Sequence, residues 1–348
     1  MRAAVYHAAG DVRVEQVPDP EIVEPTDAVV RVVRACICGS DLWAYRDVIQ
    51  RPAGSRLGHE FIGVVEEVGA GVRTVRPGEF VVAPFQWSDN TCPACQDGIH
   101  TRCVNGGTFG AAGTDGGQGE VVRVPQADGT LVAVPGGAAS VDPTLYPALL
   151  ALSDVAVTGL HGAVLSGAGT GSMVAVVGDG AVGLSAVLGA RAVLGAERVI
   201  LISTHEDRAA LGRAFGATDV VAARGEEGVE AVLELTEGLG ARHVVEAVGT
   251  PESWEMSVGM ARAGGTIGAV GVPHTAPQLA LFPVLRKHLT VSIGIAPVRR
   301  YLPELVERVA GGWVAPGRVF DLTLPLDEVA DGYRAMSERR SIKTMLAL

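Results

Sequence analysis

MVAVVGDGAVG, residues 173–183, is the stretch that decides the fold of this chain. Five residues suited to a buried strand run into a glycine-rich turn, and an apolar helical pattern follows at once. In a strand–turn–helix of this kind, the glycines let the backbone approach a diphosphate that the helix N-terminus attracts. The stretch therefore predicts a dinucleotide site. Its expected contact residues are Gly178, Gly180, Ala181, Val182 and Gly183.

On the C-terminal side of this turn, apolar strands alternate strictly with helical patterns. The predicted strands are 173–177, 199–203, 219–222, 244–248 and 266–270, and the predicted helices are 181–194, 207–215, 226–235 and 252–261. Strict alternation predicts a parallel, doubly wound sheet in an α/β protein. We therefore expect a nucleotide-binding domain at 154–289.

Outside the predicted nucleotide-binding domain, the apolar residues follow a different pattern. Short apolar or alternating runs, separated by Gly, Pro and Asp, predict strands rather than helices. These runs are 29–33, 61–68, 80–83 and 120–124, with 321–326 and 343–348 near the C-terminus. A β-rich domain formed by 1–153 and 290–348 is the expectation.

Composition narrows the function classes. The 348 residues suffice for two domains, and a net charge of −11 argues against a nucleic-acid partner, which would need a basic face. The N-terminus lacks the apolar core of an export signal, and the uncharged stretch 155–178 is interpreted as helix, turn and buried strand. We expect a cytoplasmic protein with no membrane segment.

Five cysteines without an export signal favour metal ligands over disulfides.

Three short segments carry residues suited to a catalytic zinc. Cys38, His59 and Asp154 offer thiolate, imidazole and carboxylate, and a catalytic zinc takes three such ligands and leaves one position open. Asp41 is a suitable acceptor for the other imidazole nitrogen. Cys36 is interpreted as a buried thiol near the site.

A second cluster lies in the polar segment 89–103. Cys92 and Cys95 form a C-x2-C turn, and Cys103 follows at a distance that lets the loop double back. A structural zinc needs four protein ligands. Asp89 repeats the x2 spacing and is preferred as the fourth ligand, with His100 as the alternative.

Residues 58–65, GHEFIGVV, together with Gly69 and Gly71, resemble the zinc signature of the medium-chain dehydrogenase/reductase family, alcohol dehydrogenase type. The resemblance implies a GroES-like catalytic domain plus a Rossmann domain. It also implies catalytic zinc on Cys38, His59 and Asp154, with Glu60 beside the metal and able to bind it transiently. An Asp at the third position is similar to bacterial members acting on secondary alcohols.

The same resemblance assigns roles around the reaction. Zinc would activate an alcohol oxygen, Ser40 would take its proton, and hydride would pass to the nicotinamide ring. Trp43 stands where many relatives have a relay histidine. Expected pocket walls are Trp43, Phe85 and Trp87, with core packing equally plausible for Trp87. Expected further cofactor contacts are Val248, Val270 and, at the pyrophosphate, Lys343.

The residues after the strand at 199–202 predict a preference for NADP(H) over NAD(H). Folds that favour NAD place an acid at this strand end, where it binds the ribose 2′-OH. Here the next residues are Ser203 and Thr204, with His205 and Arg208 adding possible positive charge. The neighbouring acids at 206–207 argue the other way, unless they point outward.

The sequence thus predicts an alcohol dehydrogenase or carbonyl reductase, acting on an alcohol that is expected to be secondary, or on an aldehyde or ketone. Two alternatives remain open at this point. One is a zinc-bearing enal or enone C=C reductase, and the other is a non-catalytic zinc protein that holds a dinucleotide. Relatives form homodimers or homotetramers, and either is expected here. The physiological substrate and the direction of the reaction are not determined.

Overall fold

The computed structural model describes residues 1–273 and 280–348. These residues form two compact units. The first unit comprises Met1–Asp154 and Pro297–Leu348, and the second comprises Val155–Ala296.

Strands and helices are numbered here in chain order. The strands are β1 (Arg2–Ala8), β2 (Asp11–Gln16), β3 (Ala28–Cys36), β4 (Ser55–Arg56), β5 (Phe61–Val68), β6 (Phe80–Ala83), β7 (Gln86–Trp87), β8 (Gly107–Thr108), β9 (Val121–Val124), β10 (Val132–Ala133), β11 (Met173–Val177), β12 (Arg198–Ile202), β13 (Asp219–Val221), β14 (Ala241–Glu246), β15 (Ala261–Ala269), β16 (Thr290–Ile293), β17 (Leu322–Pro325) and β18 (Thr344–Ala347). The α-helices are α1 (Asp41–Tyr45), α2 (Pro93–Gln96), α3 (Ala127–Thr130), α4 (Tyr146–Ala151), α5 (Val155–Leu165), α6 (Ala181–Leu188), α7 (Glu206–Phe215), α8 (Gly225–Leu235), α9 (Pro251–Met260), α10 (Leu281–Arg286), α11 (Val298–Ala310) and α12 (Val329–Ser337).

The first unit is built on a β-sheet whose central strand is β3. The strand order is β10-β6-β5-β3-β18-β17, and β9 also pairs with β3. Apolar side chains such as Val30, Phe61 and Leu346 are fully buried in its core. Burying a side chain of this size contributes roughly 1.5–3 kcal/mol. Because β18 comes from the C-terminus, the end of the chain is fixed into the centre of this sheet.

The second unit contains the predicted doubly wound sheet. Its strands are all parallel, in the order β13-β12-β11-β14-β15-β16. Helices connect successive strands, as strict alternation in the sequence predicts. Ligands bind such sheets at the carboxyl ends of the strands, where the strand order reverses beside β11.

Both predicted domain boundaries require correction. Asp154 closes the first unit, whereas the sequence assigned it to the nucleotide-binding domain. The second boundary falls before Pro297 rather than at 290, because β16 pairs in parallel with β15 and extends the nucleotide-binding sheet. The predicted helix at 181–194 also changes geometry, since α6 continues as a π-helical turn at Gly189–Val193.

The uncharged stretch that begins at Val155 forms α5, a turn and the buried strand β11, as the sequence predicts. Within the described ranges, no single helix has the length and apolar character to cross a membrane. The consecutive segments Pro143–Ala151 and Val155–Leu165 satisfy that test only together, across a bend.

Candidate active site and nucleotide loop

Strand pairing brings the first two predicted zinc ligands together. Strands β3 and β5 are antiparallel, with Ala35 opposite Phe61, so the end of β3 adjoins the start of β5. Cys38 follows the first strand and His59 precedes the second. Residues 38 and 59 are therefore neighbours although the chain separates them.

Asp154 reaches the same place through two hydrogen bonds of its neighbour Ser153. The Ser153 hydroxyl donates to the Phe61 carbonyl over 3.2 Å, and the Phe85 N–H donates to the Ser153 carbonyl over 3.1 Å. These bonds fix the end of α4 against the start of β5. The third predicted ligand thereby lies beside the other two.

Ligand atoms of Cys38, His59, Glu60 and Asp154 all lie within 4.8 Å of one another. The Asp154 carboxylate oxygen Oδ2 is 3.6 Å from Nε2 of His59 and 3.9 Å from the Cys38 sulfur. The buried oxygen Oε2 of Glu60 has no hydrogen-bond partner among the described residues. Thiolate, imidazole and carboxylate form a donor set that suits zinc, so the residues present fit the metal.

Asp41 faces the imidazole of His59, and hydrogen bonds to other residues hold its carboxylate in place. Oδ1 of Asp41 lies 3.6 Å from Nδ1 of His59, and Oδ2 accepts from the Cys38 N–H over 2.9 Å and from Gln118 over 3.2 Å. The Tyr333 hydroxyl donates to Gln118 over 3.0 Å. Asp41 lies where the sequence placed it, whereas Gln118 and Tyr333 were missed because no motif marks them. Such outer partners fix which imidazole nitrogen faces a metal.

The local charges make this place favourable for a cation. Burial on its own would lower the pKa of His59, but the Cys38 thiolate and the Asp41 carboxylate raise it well above its ordinary value. The same negative field that stabilises an imidazolium would stabilise a bound metal ion.

Lys343 does not lie where the sequence placed it. Its ammonium group is buried and donates to Oε1 of Glu60 over 2.7 Å and to the Ile37 carbonyl over 3.2 Å. Burial lowers the pKa of Lys343, yet the negative charges of Cys36 and Glu60 raise it well above its usual range. The expectation that Lys343 contacts the pyrophosphate is therefore wrong, because its buried ammonium group is already paired with the Glu60 carboxylate. The pairing of β18 with β3, with Met345 opposite Cys36, is the cause.

The three aromatic candidates have different surroundings. The ring of Phe85 lies edge-on to His59, with 6.2 Å between centroids, so it forms a wall beside the metal ligands. Trp43 is half-buried on α1. Trp87 packs edge-on against Phe109 at 5.2 Å, and a side chain at Gly107 would collide with its ring. These contacts support the packing role for Trp87.

Ser40 precedes α1, and its side chain makes no capping hydrogen bond to that helix. Its hydroxyl is therefore not committed to the helix backbone. This leaves Ser40 suited to exchange a proton near Cys38. Cys36 is fully buried at the end of β3, as predicted.

The second predicted metal cluster also forms. Ligand atoms of Asp89, Cys92, Cys95 and Cys103 lie within 4.8 Å of one another. The alternative ligand His100 lies outside this group, and its Nε2 is 2.8 Å from the Asn90 side-chain oxygen.

The carboxylate of Asp89 also organises the loop. It accepts hydrogen bonds from the N–H groups of Thr91 at 2.8 Å and Cys92 at 2.9 Å, and from Asn105 at 2.8 Å. Burial would raise the pKa of Asp89, but these bonds hold it well below its usual range. An ionised oxygen is thus available beside three sulfurs, which suits a tetrahedral zinc.

The glycine-rich loop has the geometry that the sequence predicts. Gly178 adopts φ of +121°, and a side chain at Gly183 would collide with the Gly178 carbonyl oxygen. A side chain at Gly180 would meet no atom within 4 Å, so the backbone there is open to a ligand. Among the other predicted contacts, Val248 is 40% exposed while Val270 is buried.

The end of β12 differs from the sequence prediction. Oδ2 of Asp179 accepts from the Ser203 hydroxyl over 2.9 Å and lies 2.9 Å from Nδ1 of His205. Arg208 approaches the other oxygen at 3.4 Å, and Arg224 lies 3.9 Å from Oδ2. The premise that no carboxylate occupies this strand end is therefore wrong. The acid comes from the glycine-rich loop, a source that inspection of the strand alone could not reveal. Thr204 is exposed beside this group.

Comparisons with known proteins agree with this geometry. Residues 24–136 match the family model of the alcohol dehydrogenase GroES-like domain, and residues 181–311 match that of the zinc-binding dehydrogenases. A probable zinc-binding alcohol dehydrogenase of Mycobacterium tuberculosis is 36% identical over 97% of this chain and 86% of its own length.

Solved structures of similar proteins have the same fold. An alcohol dehydrogenase from Thermus sp. ATN1 superposes with a TM-score of 0.91 at 35% identity, covering 100% of this chain and 99% of its own. A putative zinc-binding dehydrogenase from Sinorhizobium meliloti, bound to NADP, has a TM-score of 0.85 at 29% identity, with 100% and 99% covered. The expected combination of a GroES-like domain and a Rossmann-type parallel sheet is confirmed.

Proposed function

Because the chain belongs to the zinc-containing medium-chain dehydrogenase/reductase family, alcohol dehydrogenase type, we propose that it interconverts an alcohol and its aldehyde or ketone with a nicotinamide dinucleotide. The observation that carries the proposal is the convergence of Cys38, His59 and Asp154, with Glu60 alongside. A non-catalytic dinucleotide-binding protein would not need a complete set of ligands of this kind.

Zinc held by Cys38, His59 and Asp154 would supply Lewis acidity towards a substrate oxygen. The proton transfer would be carried out by side chains of the protein. Ser40 accepts the proton of the substrate hydroxyl and passes it to water or to a cofactor ribose hydroxyl, because the indole of Trp43 has no acceptor nitrogen to continue a relay. Phe85 shields the ligands from water.

A secondary alcohol is the proposed substrate class. The support is the resemblance of the Asp154 ligand to bacterial members that act on secondary alcohols. The carboxylate lies within 4 Å of both the Cys38 sulfur and His59 Nε2. The cofactor of the proposed reaction is a nicotinamide dinucleotide, NADP(H) or NAD(H), and the NADP-bound Sinorhizobium neighbour supports binding of this class of molecule.

We also propose a structural zinc on Asp89, Cys92, Cys95 and Cys103. All four ligand atoms converge, and the short elements of this loop bury little apolar surface that could hold it together otherwise. A cytoplasmic location and a homo-oligomeric state are likewise proposed from the sequence.

A panel of primary and secondary alcohols, aldehydes and ketones, assayed with both cofactors on zinc-loaded protein, tests the reaction. Oxidation of secondary alcohols in the wild type, and its loss in Cys38→Ser, are expected. An enal belongs in the panel, because Trp43 at the relay position favours a C=C reductase as second candidate. A saturated aldehyde as sole product would favour that candidate, and absence of any turnover would favour the non-catalytic one.

A further inference from the structure

The proposed function requires a place for the adenosine ribose of the cofactor, and the following proposal rests on that function. In parallel sheets of this type, the ribose lies at the carboxyl end of the second strand, here β12. Strands β11 and β12 pair in parallel, with Val177 opposite Ile202. The residues that follow these two strands are therefore side by side, and Asp179 meets Ser203.

The carboxylate of Asp179 is held in place by four neighbours. Ser203 and His205 each lie 2.9 Å from Oδ2, Arg208 lies 3.4 Å from Oδ1, and Arg224 lies 3.9 Å from Oδ2. Only 6% of the Asp179 residue surface is exposed. A fixed acid is thus built into this place, although the residue that follows β12 is a serine.

The ionisation of this acid follows from the same contacts. Burial alone would raise the pKa of Asp179, but the hydrogen bonds from His205 and Ser203 and the charge of Arg208 hold it below its usual range. The group is therefore a carboxylate at neutral pH, able to accept hydrogen bonds and unable to donate one.

We propose that Asp179 selects NAD(H) over NADP(H). Its carboxylate accepts a hydrogen bond from the ribose 2′-hydroxyl of NAD(H) and repels the 2′-phosphate of NADP(H). In other dinucleotide folds, an acid at the end of the second strand binds the ribose 2′-hydroxyl. Here the acid is supplied by the glycine-rich loop. The cations of Arg208 and Arg224, which would suit a phosphate, are held by Asp179 instead. The inference reverses the preference that Ser203 and Thr204 suggest from the sequence.

The test is a fluorescence titration of NADH and NADPH on the zinc-loaded full chain, with kcat/KM for both cofactors on one alcohol. In the wild type we expect the Kd of NADPH to exceed that of NADH by at least about tenfold, the scale of one hydrogen bond to a charged group. Asp179→Ala and Asp179→Asn should each lower this ratio by about tenfold or more, since the charge is removed in both. In Asp179→Ala, a further Arg208→Ala should remove the gain in NADPH affinity.

Asp207→Ala is the matched control, because Asp207 is an exposed carboxylate in the first turn of α7, two residues from His205. It should leave the ratio unchanged. Tighter NADPH than NADH binding in the wild type, an unchanged ratio in Asp179→Asn, or an equal shift in Asp207→Ala would overturn the inference. Because Kd is measured without turnover, the inference can hold where no alcohol is oxidised, and it can fail while an NADP-dependent dehydrogenase activity is observed.

Discussion

The Glu60–Lys343 ion pair has a structural effect that is separable from the chemistry of the site. Both side chains are almost fully buried and their charged atoms are 2.7 Å apart. Removal of one partner of such a pair leaves an unpaired buried charge, whereas removal of both is often tolerated. The contact with Lys343 therefore fixes the position of the Glu60 carboxylate, although Lys343 is not itself a candidate metal ligand.

Lys343→Met should lower the free energy of unfolding by about 3–5 kcal/mol, because Glu60 is left buried and uncompensated. Urea unfolding of the metal-free protein measures the change, because a zinc ion beside Glu60 would itself compensate the carboxylate. Adding Glu60→Gln should restore part of the loss. Arg334→Met is the control, since Arg334 pairs with Asp331 at the surface; it should cost less than about 1 kcal/mol. Equal losses in Lys343→Met and Arg334→Met would contradict the prediction.

Asp154→Ala tests the third ligand of the catalytic site. The variant should lose turnover and about one equivalent of zinc, because Cys38 and His59 alone do not complete the three protein ligands that a catalytic zinc requires. Metal analysis and circular dichroism of the same sample give both results. Asp142→Ala is the control, because Asp142 is an acid at a surface turn in the same unit. Retained activity in Asp154→Ala would rule out the ligand assignment.

At the scale of elements, the loop 89–103, which is proposed to bind zinc, has less regular structure than the sheet of the same unit. Its regular structure is limited to α2 and one 3₁₀ turn at His100–Arg102. Within the loop, the Asp89 carboxylate accepts hydrogen bonds from Thr91, Cys92 and Asn105. On the proposal of a structural zinc, the ligated metal would supply stability that a small core cannot, and folding of the loop would be coupled to metal binding.

Cys103→Ser should lower the melting temperature and release about one zinc while the rate per folded molecule stays near that of the wild type. Differential scanning calorimetry, zinc content and active-site-normalised kcat are the measurements. Val104→Ser is the control, because Val104 is exposed beside Cys103 and offers no ligand atom; its zinc content should not change. A wild-type content of one zinc per chain after careful loading would contradict the proposal of two sites.

At the scale of the whole molecule, one end of the nucleotide-binding sheet is exposed. Strand β16 is the last strand of the sheet, and Ile293 on it is 66% exposed. The adjoining helix α10 leaves Leu281, Phe282 and Leu285 about as open, each at 70% or more. No strand of residues 1–273 and 280–348 pairs with the outer edge of β16, and such an edge beside an apolar surface is typical of a subunit interface.

Leu285→Glu combined with Ile293→Lys should shift the protein from a dimer or larger assembly to a monomer, because buried charges oppose association through this surface. Analytical ultracentrifugation measures the state, and zinc content confirms that the site persists. Leu239→Glu is the control, since Leu239 is 68% exposed at the turn after α8. An unchanged sedimentation coefficient in the double variant, or a monomeric wild type, would exclude this interface.

The sequence by itself determined the features that depend on local backbone chemistry. The glycine turn at 178–183, the strand–helix alternation and the spacing of Cys92 and Cys95 each act over a few residues. Cys38 and His59 could be proposed as zinc ligands because they lie in short, recognisable segments. Strand β16 was missed because it is only four residues long and carries no pattern of its own.

Tertiary structure alone decided the contacts that join distant parts of the chain. Asp179 meets Ser203 across 24 residues, and Lys343 meets Glu60 across 283. Both contacts arise from strand pairing, β11 with β12 and β18 with β3. A charged side chain takes whichever partner the sheet register brings near, because burial makes an unpaired charge costly. Register is a property of the assembled sheet, so the partners of these two charges could not be read from the sequence around either one.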